Sequence, residues 1–139
     1  MIAVVDASVV VKWFLAENLD EDHTDLALKL LEQVASGDVQ MVQPPHFMAE
    51  VAAVLARLKP AQALDDLLDL IDIEHQTVND VEIYATALDL AIRHRQHVFD
   101  TLYHAVALHT PGAQLITADH RYFDKARSEG RMLLLADFT

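Results

Sequence analysis

Five short apolar runs, residues 2–5, 39–42, 73–78, 114–117 and 132–135, alternate along this chain with segments whose apolar residues recur at helical spacing. Short runs of this kind read as buried strands, and strands separated by helices pair in parallel, because each crossover returns the chain to the same end of the sheet. The expected fold is α/β: a three-layer α/β/α sandwich around a five-stranded, mostly parallel sheet, in one domain spanning residues 1–139.

The punctuation between the runs agrees. Ala7 to Leu15 can continue as a helix directly from the first strand. Leu19-Asp20-Glu21-Asp22 reads as the acidic opening turn of a helix that carries Leu26, Leu30, Leu31 and Val34 and ends at Gly37. Pro44-Pro45 blocks the second strand and can start a helix with Phe47, Val51, Val54, Leu55 and Leu58 on one face. Pro60 separates it from a Leu-rich helix around Leu64 to Ile71, making a hairpin. Asn79 or Asp80 can cap a long helix to about His94, a further helix runs from Asp100 to His109, and Asp119 opens the last one.

Composition narrows the function classes. Net charge is −12, which disfavours a broad basic face for gripping nucleic acid but leaves a metal-dependent nuclease open. From Arg93 to Arg131, however, six bases face four acids, so a polyanion would meet the C-terminal third. The absence of Cys removes disulfides, thiolate nucleophiles and Cys-ligated zinc. Asp6 and Lys12 interrupt the N-terminal apolar residues, which therefore read as a first strand rather than a leader, and no apolar run approaches a membrane span. A cytoplasmic setting is expected.

Four acids stand out. Asp6, Asp100 and Asp119 lie where a strand or loop gives way to a helix, the place where open α/β sheets keep ligands, and also a place where Asp caps a helix. Glu50 lies about 40° from Val54 on the helical wheel, at the edge of an apolar face where a lone carboxylate is costly. If the four met at one sheet edge they would repel, and a divalent cation is the simple remedy. Oxygen-only ligands point to Mg²⁺ or Mn²⁺. Ser8 and Thr117, two residues from Asp6 and Asp119, can orient a carboxylate or a water, or act as local caps. Among the eight His, His94 and His97 read as solvated, His46 as a neighbour of Glu50, and His104 as a helix-surface residue one turn after Asp100. Lys12, Arg121 and Lys125 are candidates for contacting phosphates.

The segments Val5-Asp6-Ala7-Ser8-Val9 with Lys12-Trp13-Phe14, Glu50-Val51-Ala52, Phe99-Asp100-Thr101-Leu102-Tyr103-His104-Ala105 and Thr117-Ala118-Asp119 with Phe123 together resemble the successive motifs of PIN-domain ribonucleases. The opening motif resembles the VapC-type toxins of toxin–antitoxin pairs. The resemblance implies that Asp6, Glu50, Asp100 and Asp119 cluster around one or two Mg²⁺ or Mn²⁺ ions and that the chain cleaves RNA endonucleolytically. It also implies a cognate antitoxin that covers the toxin's groove, and a toxin homodimer. Two positions depart from the pattern of many relatives: Ala53 stands where Asn is common, and Phe99 where Tyr is common. Asp124 is a candidate fifth acid. Two other classes compete. A haloacid-dehalogenase-like phosphatase wants a second Asp where Ser8 stands, and a receiver wants an acidic pair and a late strand-end Lys that are not apparent; a binding module would use the acids only as caps or to seat a partner's Arg.

Overall fold

A computed structural model describes residues 1–18 and 20–139. Leu19, the first residue of the expected acidic turn, lies outside the described residues. Five strands, β1 (Ile2–Val5), β2 (Gln40–Gln43), β3 (Gln76–Thr77), β4 (Ala113–Thr117) and β5 (Met132–Leu134), form one sheet in the order β3-β2-β1-β4-β5, and every pairing is parallel. Among the described residues seven α-helices connect them: α1 (Ala7–Trp13), α2 (Thr24–Ser36), α3 (Phe47–Leu58), α4 (Ala63–Ile71), α5 (Val81–His94), α6 (Val98–His109) and α7 (His120–Ala126). From β1 the chain moves to one edge through β2 and β3, then returns past β1 to β4 and β5. Right-handed crossovers therefore place α1–α4 on one face and α5–α7 on the other, in keeping with the packing of α1 on α2 and α3 and of α5 on α6. The three-layer sandwich is as expected.

Reversal of direction beside β1 makes the gap between the ends of β1 and β4 the sheet's switch point, where the two adjacent chains leave for opposite faces. The core beneath it is built from strand residues with no exposed surface, Ala3, Val4, Val5 and Ile116, packed on Val9, Val10, Ala105 and Val106 from the helices. Between β1 and β2, main-chain pairing extends through Ala3 and Met41. Beyond it the buried Gln43 side chain takes over: its Oε1 accepts from Val5 N at 2.7 Å, and its Nε2 donates to Val5 O at 2.8 Å. A side-chain amide thus stands in for a backbone peptide at the rim of the site. Gln43→Leu, which leaves both Val5 groups buried and unpaired, is expected to lower unfolding free energy by about 2–4 kcal/mol in denaturant titration.

Local structure departs from expectation at three places. The third strand shrinks from 73–78 to Gln76–Thr77, because an edge strand with one neighbour needs pairing only where β2 offers it. The acidic residues 20–22 precede α2 instead of opening it: the helix starts at Thr24 after His23 in a left-handed conformation, and Glu21 and Asp22 reach back to bind Lys12. Helix α6 begins at Val98, so Asp100 sits inside its first turn and does not cap it. Among the described residues no helix is long and apolar enough to cross a membrane.

Candidate active site

Asp6 ends β1 and starts α1. Its Oδ2 accepts from Ser8 N at 3.1 Å, so it does cap the helix, and it also bonds the Ser8 hydroxyl. Thr117, from the end of β4, reaches the same oxygen at 3.5 Å, and Ser8 Oγ in turn accepts from Ala118 N at 3.1 Å. The two hydroxyls named from sequence therefore tie the end of β1 to the end of β4 across the switch point. Asp119 is held as a cap: Tyr122 N donates to its Oδ1 at 3.0 Å, and its own N–H donates to Thr117 Oγ1 at 3.0 Å.

Glu50 lies in the first turn of α3, half-buried, where Tyr103 of α6 donates its phenol hydrogen to Oε1 at 2.7 Å. His46 Nε2 donates to the Phe99 carbonyl at 2.7 Å and stands 3.1 Å from the same Glu50 oxygen. His46 Nδ1 is buried and, among the described residues, has no hydrogen-bond partner. Asp100 accepts at Oδ2 from Gln96 Nε2 at 2.7 Å.

Electrostatics link these acids. Burial, with repulsion from Asp100 and Glu50 added, pushes the Asp6 carboxyl up to about 7 against the pull of its Ser8 bonds. Asp100 is raised chiefly by burial, and then by Glu50 and Asp119. Burial also raises Tyr103, and Glu50, Asp6 and Asp100 add to it. Asp6 and Asp100 thus both feel Glu50 and each other, and Asp119 acts on Asp100, yet among the described residues no three carboxylates or imidazoles converge closely enough to hold one ion as the side chains stand. No Lys or Arg pairs with any of the four among the described residues; the ion pairs of Lys12, Lys59 and Arg93 go elsewhere.

Several expectations change at this point. Lys12, expected to contact phosphate, is buried and bound by Glu21 at 2.9 Å and Asp22 at 3.1 Å, so its charge serves the loop that follows α1. His104 is not a surface residue. It has no exposed surface, donates from Nε2 to Gly130 O and accepts at Nδ1 from the Tyr122 hydroxyl, both at 2.8 Å, and burial lowers its pKa. His94, read as solvated, lies 2.9 Å from Glu129. Asp124 is exposed, and Phe99 is 56% exposed with its ring against His46. Sequence reasoning missed Gln96 and the Tyr103 contact. Tyr103 follows Asp100 by three positions, which puts the two on one helix face and was a legible signal. Gln96 lies across the α5–α6 break, where no periodicity points.

A parallel sheet with Asp6 and Asp119 at the ends of its two central strands defines an α/β domain whose candidate ligand site lies at the switch point. The PIN domain family model matches residues 3–128, and the chain belongs to that family. No curated protein matches by sequence. Among solved structures the chain is similar to VapBC2 from Rickettsia felis bound to a DNA fragment from its promoter, at 16% identity and TM-score 0.62, covering 96% of this chain and 97% of that one. It is also similar to VapBC-1 from nontypeable Haemophilus influenzae, at 14% identity and TM-score 0.66, covering 99% and 100%.

Proposed function

We propose that this chain is a metal-dependent endoribonuclease, the VapC-type toxin of a toxin–antitoxin pair, in which Asp6, Glu50, Asp100 and Asp119 hold Mg²⁺ or Mn²⁺. The observation that carries this reading is a group of acids with which no Lys or Arg forms an ion pair among the described residues: Asp6 is buried, pushed up to about 7, and repelled by Asp100 and Glu50. A cation reverses that penalty, and a donor set of carboxylates and hydroxyls suits a hard divalent ion. Small side-chain rotations, within the freedom of half-buried Glu50 and Asp100, would be needed to bring the ligands together.

When bound, the ion would supply Lewis acidity toward water and the phosphodiester. The protein's part is orientation. Ser8 and Thr117 fix Asp6, Tyr103 and His46 fix Glu50, and Gln96 holds Asp100. RNA as the substrate rests on the motif resemblance. An antitoxin partner is supported by the likeness to two VapBC structures and by a groove of about 870 Å³ lined by Trp13, Leu31 and Leu58. Exposed Val81, Leu88 and Ile92 on α5 support a homodimer. Such a toxin would act in the cytoplasm.

Purified protein incubated with a panel of RNAs should cleave internally only when Mg²⁺ or Mn²⁺ is present. Asp100→Asn should slow that cleavage by at least about a hundredfold, since a ligand matters no less than its supporting bonds. Cleavage unchanged by EDTA or by the substitution overturns the reading.

A further inference from the structure

A cleft of about 470 Å³ opens at the corner where α5 gives way to α6, lined by Arg95, Gln96, His97, Asp119, Arg121 and Lys125. In a chain of net charge −12, three full positive charges on one small concavity are a local inversion of sign. The other cations of this region are committed elsewhere. Arg93 binds Asp89 and Glu129, Arg131 donates to the Thr110 and Ala113 carbonyls, and Arg127 lies over the Phe123 ring. The Arg95 and Arg121 guanidinium groups, both exposed, make no hydrogen bond to the described residues.

Two features show a built cleft rather than scattered surface charge. Arg95 ends α5 with φ +51°, a left-handed position that Gly fills more easily. An Arg there costs about 1 kcal/mol of backbone strain, and its guanidinium is carried to the rim. Second, Lys125 donates to Arg95 O at 3.3 Å and to Gln96 Oε1 at 3.0 Å, while Gln96 Nε2 donates to Asp100 at 2.7 Å. One amide therefore bridges the basic cleft and the acidic centre, and Asp119 lines the cleft directly.

We propose that this cleft seats an RNA phosphate adjacent to the one cleaved, with Arg95 and Arg121 as its ligands and the Lys125–Gln96–Asp100 chain holding the two sites in register. The position beside a cleaved phosphate rests on the ribonuclease reading; the binding itself does not. Planar guanidinium groups match phosphate oxygens in pairs, and phosphate contacts position a strand without reading its bases. The cleft accordingly contributes affinity and placement to any single strand, leaving sequence choice to other surfaces.

The test is equilibrium binding of a fluorescein-labelled single-stranded RNA 12-mer to the full chain in EDTA, by anisotropy, from 20 to 200 mM salt. The double variant Arg95→Gly/Arg121→Gln should bind about tenfold more weakly at 100 mM salt, with a salt slope shallower by about 0.7 for each charge removed. Lys29→Gln, on the exposed surface of α2, should change neither. Melting separates binding from folding: because Gly suits the left-handed position, Arg95→Gly alone should melt no lower than wild type. Wild-type affinity and slope in a folded double variant overturn the proposal. So does displacement of the RNA by a hexaglutamate peptide at comparable phosphate-equivalent concentration, which would make the cleft a seat for an acidic protein segment. If the RNA binds through the two Arg but Mg²⁺ and Mn²⁺ elicit no cleavage, the enzyme reading fails and the cleft stands; if cleavage occurs with binding indifferent to both Arg, the reverse holds.

Discussion

Asp6→Asn is expected to raise the melting temperature of the metal-free protein at pH 8 while abolishing RNA cleavage. The wild-type carboxylate is buried at 9% exposure, and its folded pKa is raised from 3.8 to about 7, first by burial and then by Asp100 and Glu50. For an acid, a raised folded value means that the folded state holds the proton more tightly than the unfolded chain. Stability is therefore lost as pH rises from about 4 to about 7, and the loss is complete above that window. From 3.8 to about 7 the loss amounts to roughly 4 kcal/mol, an upper figure, because water and side-chain rearrangement relieve part of it. Asn keeps an acceptor oxygen for Ser8 N, so the α1 cap survives while the charge goes. Calorimetry in EDTA across pH 4–8 should show the variant's advantage vanishing near pH 4 and growing to several degrees at pH 8. A variant that melts lower at pH 8 would make Asp6 a structural cap and remove it from the proposed ion site.

That expectation rests on a position whose importance was legible in one dimension. Asp6 interrupts an apolar run at the step from strand to helix, and no propensity for either element explains a charge there. The same reasoning marks Asp119 and, through the helical wheel, Glu50 as candidates. Sheet order was legible only as far as parallel pairing; the placement of β4 beside β1, which brings Thr117 to within 3.5 Å of Asp6, depends on contacts more than a hundred residues apart in the chain. Asp100 stands out in the sequence as a candidate for a partly mistaken reason. Val98 and Phe99 are apolar and β-favouring, so the helix appeared to begin after them, yet tertiary packing draws both into α6 and leaves Asp100 without a capping role.

The misread side chains share one physical cause. Lys12 and His104 sit on helices whose local sequence suits a surface position, and only the tertiary neighbours decide otherwise. Glu21 and Asp22 come back over Lys12 from a loop, and the Gly130 carbonyl reaches His104 from the segment before β5. Hydrogen bonds that satisfy a buried polar group are non-local, so a one-residue reading defaults to solvent. Gln96 is the instructive omission: it lies in a three-residue break between helices, carries no charge, and yet contacts Asp100 and Lys125 at once.

Addition of Mg²⁺ supplies the largest effect in the opposite direction to acid repulsion. In the proposed site only the folded chain would bring the four acids to one ion, so the ion should stabilise the folded state by mass action, by about 2.7 kcal/mol at a hundredfold excess over Kd. For a chain of this size that is on the order of 10 °C in melting temperature. Asp6 and Asp100, both with raised pKa values, must be ionised to serve as ligands, so binding releases protons and the thermal shift should be larger at pH 8 than at pH 6. Asp100→Asn removes one ligand together with part of the repulsion: its metal-free form should melt at or above wild type, and its Mg²⁺ shift should fall well below wild type's. Differential scanning fluorimetry of both proteins, with Mg²⁺ titrated at the two pH values, reads all three outcomes. Equal shifts in the two proteins would place the ion elsewhere on this acidic surface, and a shift that does not grow with pH would mean that the raised carboxyls take no part in holding it.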